Sequence, residues 1–596
     1  MHALAPLPVA VPLLTGAVLS IPNDHLQPRV REAIAIAAAA AVAVIGIVLV
    51  HGASAATVVH WFGGWSPRNG NAIGIDFAVD TVGAATVALA GVLVVASFVF
   101  SWRYLEDAGH SFHVLMLVFL GAMSGLALSG DLFNLFVFFE LMSVTAFALA
   151  GFKIEERGPI QGAFNFAVTN TIAAFLILLG IGLLYGRFGV LNLAQLGERV
   201  AAAPVGGLTI AALTMLLGGF LVKAAIVPFH FWLADAHAVA PAPVCVLFSG
   251  VMVQLGLLAA ARVYWTVFSG ALESSAPSLR AVLIGVGLVT AFVGAVMALL
   301  QRHLKRLLAY STIAHSGILL CGIGLLEPAG LGGVAAYVLA HGLLKAGLFL
   351  CAGVVLSLLG SVDELHLRGL GRLLPVTGVI FMAAAVGLAG PPFLGTYVGK
   401  STVDEAAVAV GIDWLPLGLA LASALATAAV LRAGLRIFAG LGRDEDPLLS
   451  PEPEENEAGD PGKRTPWQFV APAAALVAAG LLVGAVPSLA TGSDRAAHQF
   501  ADRDAYVAEV LSADHVTPPP GRPHAVKASG IGYGLGATVG AILLALLLLV
   551  RRRTPSSALA LLRPLRLLHS GHVGDYVAFL TVGVAVLGGL FALAAG

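Results

Sequence analysis

The chain has 596 residues, 59% of them hydrophobic and only 11% charged, with a mean hydropathy of +0.93. Soluble domains carry about 25% charged residues, so this composition excludes a soluble globular protein and indicates one that crosses a membrane many times. A formal net charge of −1 offers nucleic acid no basic surface. The three cysteines, Cys245, Cys321 and Cys351, stand far apart in apolar runs. They form no disulfide framework, metal pair or iron–sulfur pattern, and no cofactor is expected.

A spanning helix needs about 20 apolar residues. On that ruler roughly sixteen segments are predicted, beginning near residues 4, 33, 76, 113, 131, 160, 206, 242, 278, 306, 330, 374, 414, 467, 529 and 573. The first, in "MHALAPLPVAVPLLTGAVLSI", has no positive lead-in and reads as a membrane helix rather than a cleaved signal. Segments four and five are parted only by "LSGD". Barrel-type alternation is missing, so the fold class is an all-α polytopic membrane protein.

The expected units are 1–112 (segments one to three), 113–268 (four to eight), 278–440 (nine to thirteen), an acidic Pro-rich loop at 441–466, and 467–596. The last unit holds about two C-terminal helices, a hydrophilic connection at 490–528 and an amphipathic stretch at 551–572. Arg29, Arg31, Arg103, Lys153, Arg157, Arg302, Lys305, Arg306, Arg368, Arg372 and Arg551 to Arg553 all follow odd-numbered segments. Those loops are therefore expected in the cytoplasm, with both termini outside a bacterial-type cell membrane.

Against this apolar background the ionisable residues stand out. Glu140 lies inside "LFNLFVFFELMSVTAFALAG", nine residues or ~13 Å from Asp131 at the helix mouth. Lys223 precedes Pro228 in "FLVKAAIVPFHF", and Lys400 follows Pro391 and Pro392. His341 and Lys345 share a helix face four residues apart, and His315 lies further along in "LAYSTIAHSG". A charge at mid-bilayer costs between about 2.5 and 17 kcal/mol depending on the measure, which makes each of these a functional-site hypothesis. The plainer reading is a polar residue bonding a neighbouring helix for about 0.6 kcal/mol; it accounts for one such residue and not for the set. Low dielectric disfavours charge on an isolated Glu or Lys, so close pairs sit where a proton can leave or arrive. Glu, Lys, His and Lys in a row read as a proton path.

Lysines beside proline breaks resemble discontinuous helices at ion sites. Segments seven and twelve carry the breaks, five apart, which predicts two inverted five-helix repeats, segments 4–8 and 9–13, with Lys223 and Lys400 equivalent.

"FFELMS", "FLVKAAIVPFHFWLADAHAVAPAPV", "LKRLLAYSTIAHSG", "AHGLLKAGLFLCAG" and "GPPFLGTYVGK" resemble the antiporter-like subunits shared by respiratory complex I, membrane-bound hydrogenases and Mrp-type sodium/proton antiporters. The resemblance covers roughly residues 75 to 440. It implies a core of about 14 helices with paired half-channels, Glu140 and Lys223 in the first and His315, His341, Lys345 and Lys400 in the link and the second. His230, His237, Gln254, Asp131 and Lys305 are secondary or relay candidates. A lysine at 400 looks more like the D-type or A-type chains of Mrp antiporters than like those of complex I. Two residues depart from the pattern: Gln254 stands where a lysine is usual, and His303 where an aspartate is common.

The leading expectation is a D-like, proton-translocating subunit of an Mrp-type sodium/proton antiporter, working with other hydrophobic subunits and carrying out no redox chemistry itself. The runner-up is the pump subunit of a redox-driven complex, a complex I relative or membrane hydrogenase. A structural scaffold, whose polar residues only bind partners, is the third.

Overall fold

The structure, a computed structural model, describes residues 1–21, 27–68, 70–104, 111–152, 157–443, 445–446, 448–449, 465–522, 527–551, 565 and 568–595, without the side chains of Arg103 and Arg157. Most of the acidic loop and of the stretch 551–572 lies outside these residues, as do Lys153, Arg552 and Arg553.

In hydrocarbon every backbone polar group must be satisfied within its own segment, so unbroken apolar runs become helices. In chain order these are α1 (Leu7–Ser20), α2 (Pro28–Ala53), α3 (Thr81–Tyr104), α4 (Ser111–Leu128), α5 (Leu132–Ala150), α6 (Arg157–Phe188), a short α7 (Leu193–Ala201), α8 (Gly207–Lys223) and α9 (Phe231–Val239). There follow α10 (Ala242–Phe268), α11 (Ala276–Leu300), α12 (Leu304–Gly324), α13 (Pro328–Leu359), α14 (Pro375–Ala389), α15 (Tyr397–Ala409) and α16 (Leu415–Ala439). The chain closes with α17 (Trp467–Val483), α18 (Pro487–Ala501), α19 (Ala528–Val550) and α20 (Val573–Ala595).

Thirteen of the described helices are long and apolar enough to cross a membrane. The bent pair α17–α18 and the shorter α8 and α14 supply the remaining expected segments.

One expectation needs correction. Residues 76–79 do not open the third helix; Asp76–Val79 pairs with Val58–Trp61 as an antiparallel hairpin, Val58 opposite Val79, and the helix begins at Thr81. The hydrophilic connection at 490–528 is in part helical: α18 turns 75° from α17 and lies against α13. Small residues allow that approach, since a Cβ on Gly332 would stand 3.2 Å from Asp494 Cα.

The connections divide between two faces. On one, Ala72 N–H donates to Gln195 Oε1 at 3.1 Å, and Thr81 Oγ1 donates to Gln499 Oε1 at 2.9 Å. On the other, buried Glu364 is clasped by Arg432 (3.1 Å) and Arg436, while Asp446 holds Arg436 (3.2 Å) and Arg551. One backbone pattern occurs once on each face. Before α5, Leu132 N–H donates to Leu191 O (2.8 Å) and Leu193 N–H to Gly130 O (2.9 Å). Before α12, Leu304 N–H donates to Val362 O (2.8 Å) and Glu364 N–H to Arg302 O (3.0 Å). Asp131 and His303 sit at matching places and cap α5 and α12 with their side chains.

Candidate functional site

The helix α8 ends at Lys223 because Ala225 adopts a left-handed conformation at φ 53° and Pro228 offers no N–H. The chain restarts as α9, and the indole N–H of Trp232 donates to Val222 O at 2.9 Å, beside the Ala225 N–H that donates to the same carbonyl at 3.0 Å. Lys223 is wholly buried at this break, its ammonium donating to Ser143 Oγ on α5 at 2.8 Å. The rings of Phe139, Phe166 and Trp232 face it at 5.0, 5.4 and 6.0 Å, an aromatic box that stabilises a cation.

Glu140 stands one turn from Ser143 on α5, half-buried, and makes no ion pair within 4 Å among the described residues. Exposed Phe133, Val137 and Val144 share its side of the helix. The carboxylate thus lies on the flank of the bundle, within electrostatic reach of Lys223 but not in contact with it. Asp131, a relay candidate, is engaged as the N-cap, accepting from the N–H groups of Phe133 and Asn134 at 2.9 Å each. Beside it lies Asp76, outside the spans, whose carboxyl is pushed up to about 8 by burial and by the neighbouring Asp131 charge.

The middle of the bundle holds a connected polar row. A π-helical turn at Phe248–Met252 interrupts α10 and presents Ser249. Ser249 Oγ lies 2.9 Å from His237 Nε2 and 2.9 Å from Thr312 Oγ1. Thr312 Oγ1 donates to Leu308 O at 3.0 Å, and the same carbonyl accepts from Lys345 Nζ at 3.0 Å. Gln254 Nε2 donates to Ser249 O at 2.8 Å and faces His341 Nδ1 at 3.2 Å. The His341 ring stands 4.9 Å from that of His315, whose Nδ1 meets Tyr337 Oη at 2.6 Å. His237, His315, His341 and Lys345 are all at 0% exposure. Lys305 borders the row, its Nζ donating to Ala240 O at 3.4 Å.

The second break follows α14, through Gly390 (φ 78°), Pro391, Pro392, Phe393 (φ 64°) and Gly395 (φ 56°). Only glycine fits at 395, where a Cβ would meet Gly387 O at 2.3 Å. Lys400 reaches back into this break, donating to Ala389 O (2.7 Å) and Ser423 Oγ (2.5 Å). A cation there complements the C-terminal end of the α14 dipole. The two lysines do not hold matching positions, contrary to expectation: Lys223 ends the helix before its break and Lys400 lies a turn into the helix after its own.

His230 stands apart from the row. Its ring packs on Phe231 (4.0 Å) and Tyr310 (6.4 Å), near a network joining α9 to α20. There His569 Nε2 meets Asp235 Oδ1 at 3.1 Å and Tyr576 Oη donates to Asp235 Oδ2 at 2.8 Å. Reading the sequence missed Ser143, Ser249, Thr312, Tyr337 and Ser423. Tyr337 was accessible, because it precedes His341 and Lys345 at intervals of four on one helix face.

A buried row of histidines, hydroxyls and Lys345 thus lies in the same bundle as two helix breaks, each holding a buried lysine. The class defined is an all-α membrane protein built round such breaks. The chain belongs to the family described as "NADH:quinone oxidoreductase/Mrp antiporter, TM", matched over residues 129–426. It is similar to the D subunit of the Na(+)/H(+) antiporter of Bacillus subtilis (strain 168), 29% identical over 514 residues, 85% of this chain and 98% of that one. It is also similar to the N subunit of the NADH-quinone oxidoreductase of Desulforudis audaxviator (strain MP104C), 33% identical over 57% of this chain and 67% of that one. Among solved structures, a chain of the Mrp complex from Dietzia sp. DQ12-45-1b superposes with a TM-score of 0.74 at 25% identity, covering 86% of this chain and all of that one. The chain is an antiporter-like membrane subunit.

Proposed function

We propose that this chain is the D-like, proton-translocating subunit of a multisubunit Mrp-type monovalent cation (sodium)/proton antiporter. Protons move between the two lysine breaks along His237, Lys345, His341 and His315, with Lys223 at one end and Lys400 at the other. The observation that carries the reading is the gathering of His237, His315, His341 and Lys345, all fully buried, round Ser249 and Thr312, with Leu308 O accepting from both Thr312 and Lys345 and so holding the lysine beside the row without passing a proton itself. A structural scaffold gains little from so many desolvated ionisable groups, since each is expensive to keep in the membrane. The unpartnered Nε2 atoms of His315 and His341 add to this, because buried polar atoms are satisfied by protein or by ordered water.

Glu140 serves as the outer proton site, with Lys223 setting its affinity. Its half-exposed flank is covered by another hydrophobic subunit in the complex, as an uncovered carboxylate against lipid is costly. The pattern that recurs before α5 and α12 on opposite faces supports inverted repeats, and the basic face of Glu364, Arg436 and Arg551 is the cytoplasmic one.

The runner-up, a pump module of a redox-driven complex, draws on the likeness to the oxidoreductase chain. The match extends over 98% of the antiporter chain against 67% of the oxidoreductase chain, which favours the antiporter. The test is Lys345→Met in the whole native complex reconstituted in vesicles without an electron donor. Cation-dependent proton exchange is expected to vanish while the complex stays assembled. Exchange at the wild-type rate would leave only the scaffold reading.

A further inference from the structure

A cavity of about 360 Å³ lies outside the polar row, walled by α2, α3, α10 and α13 and roofed by α18. Its lining is mostly apolar, with Leu258 and Leu339 among the walls; hydroxyl groups come from Thr86, from Ser488 and Ser493 of the roof, and from Ser54 and Thr81 at the hairpin face. At the same end stands Arg495, half-buried, with its Nε buried and unpartnered and no ion pair within 4 Å among the described residues. The deep end is closed by Gln254, the residue that donates to His341.

Size narrows the occupant. Along α3 the cavity runs from Thr81 to Leu89, about 12 Å at the helical rise, so its mean cross-section is about 30 Å². A single hydrocarbon chain fits a bore of this width and length. Charge narrows it further, because a guanidinium without a counter-ion at an apolar mouth matches a phosphate or carboxylate.

We propose that this cavity binds an anionic lipid, its acyl chain between α3, α10 and α13 and its acidic headgroup on Arg495. A phospholipid phosphate and a fatty-acid carboxylate share that chemistry. The chain end then lies against Gln254, so that a bound lipid forms one wall of the central row. Binding itself does not depend on the transport reading.

The test uses the whole native complex in phosphatidylcholine vesicles doped with one of three diazirine-bearing probes: phosphatidylglycerol, phosphatidylcholine or palmitate. Labelled peptides are located by mass spectrometry. Label at Leu258 and Leu339 is expected from an anionic probe at least fivefold above the phosphatidylcholine probe. Arg495→Gln should lower it to the phosphatidylcholine level, and Arg495→Lys should retain most of it. Leu339→Trp, which fills the cavity, should also remove the label, with assembly checked by gel filtration. Labelling by phosphatidylglycerol alone assigns the site to a phospholipid, and by palmitate alone to a free fatty acid. Equal labelling by charged and zwitterionic probes would overturn the proposal. So would labelling only at lipid-facing positions such as Phe175 and Val289, or none at all.

Discussion

Replacing Lys223 by Met separates the chemistry of that site from its packing. The change removes a charged hydrogen bond to Ser143, worth about 1.5–3 kcal/mol, and the attraction of three aromatic faces, each about 0.5–2 kcal/mol. It also relieves the burial of an ammonium group, which costs several kcal/mol after relaxation. Ser143 is not orphaned, because its hydroxyl donates to Phe139 O at 2.8 Å. These contributions oppose each other, so stability should change by no more than about 2 kcal/mol and the complex should assemble. Transport has no such compensation, since a thioether takes up no proton. Exchange, followed by a pH-sensitive dye in vesicles holding the whole complex, should fall at least ~100-fold, about 2.7 kcal/mol of barrier. An assembled variant that exchanges within twofold of wild type would refute the role given to Lys223.

Other substitutions examine neighbouring parts. Gln254→Lys should keep or raise the exchange rate, because an ammonium can make both donations that the amide makes to Ser249 O and His341; a collapse in an intact complex would show that the amide has a role of its own. Glu364→Ala should cost about 3–5 kcal/mol by leaving Arg432 and Arg436 buried without their shared carboxylate, and thermal unfolding would find no loss if that clasp is dispensable. Asp76 is held up at about 8 from its ordinary 3.8, so the folded protein keeps a proton that the unfolded chain releases near pH 4. Its contribution to stability is therefore present at low pH and lost as pH rises from about 4 to about 8. Asp76→Asn should flatten the fall in unfolding temperature over that range, and an unchanged slope would contradict it.

Much of this architecture was readable in the residues. The apolar runs marked every membrane segment, since hydrocarbon leaves the backbone no alternative to the helix. Pro228 and Pro391 marked both breaks because proline lacks the donor that continues a helix. The hairpin at Asp76–Val79 was hidden: an apolar strand four residues long looks like the start of the helix that follows it. In α18, alanines and glycine sit among polar residues, a composition that reads as a loop until a facing helix is known to offer Gly332. At the site, the lysines and histidines stood out as rare types, whereas Ser143, Ser249 and Thr312 did not, since hydroxyl side chains are common packing residues between membrane helices. Nothing in the sequence announced the π-helical turn that aims Ser249 at His237. Helical spacing placed Glu140 at mid-depth but left its rotation undefined, and it lies on the flank of the bundle rather than in its core.

The central claim is that this chain carries protons in exchange for a monovalent cation. The most direct measurement is proton and sodium flux in vesicles holding the whole native complex, with no electron donor, comparing wild type with Glu140→Gln. Sodium-dependent proton exchange by wild type, lost in the variant with the complex intact, is the predicted result. A wild type that stays silent until a redox substrate is supplied would contradict the account and make the chain a pump module driven from outside itself.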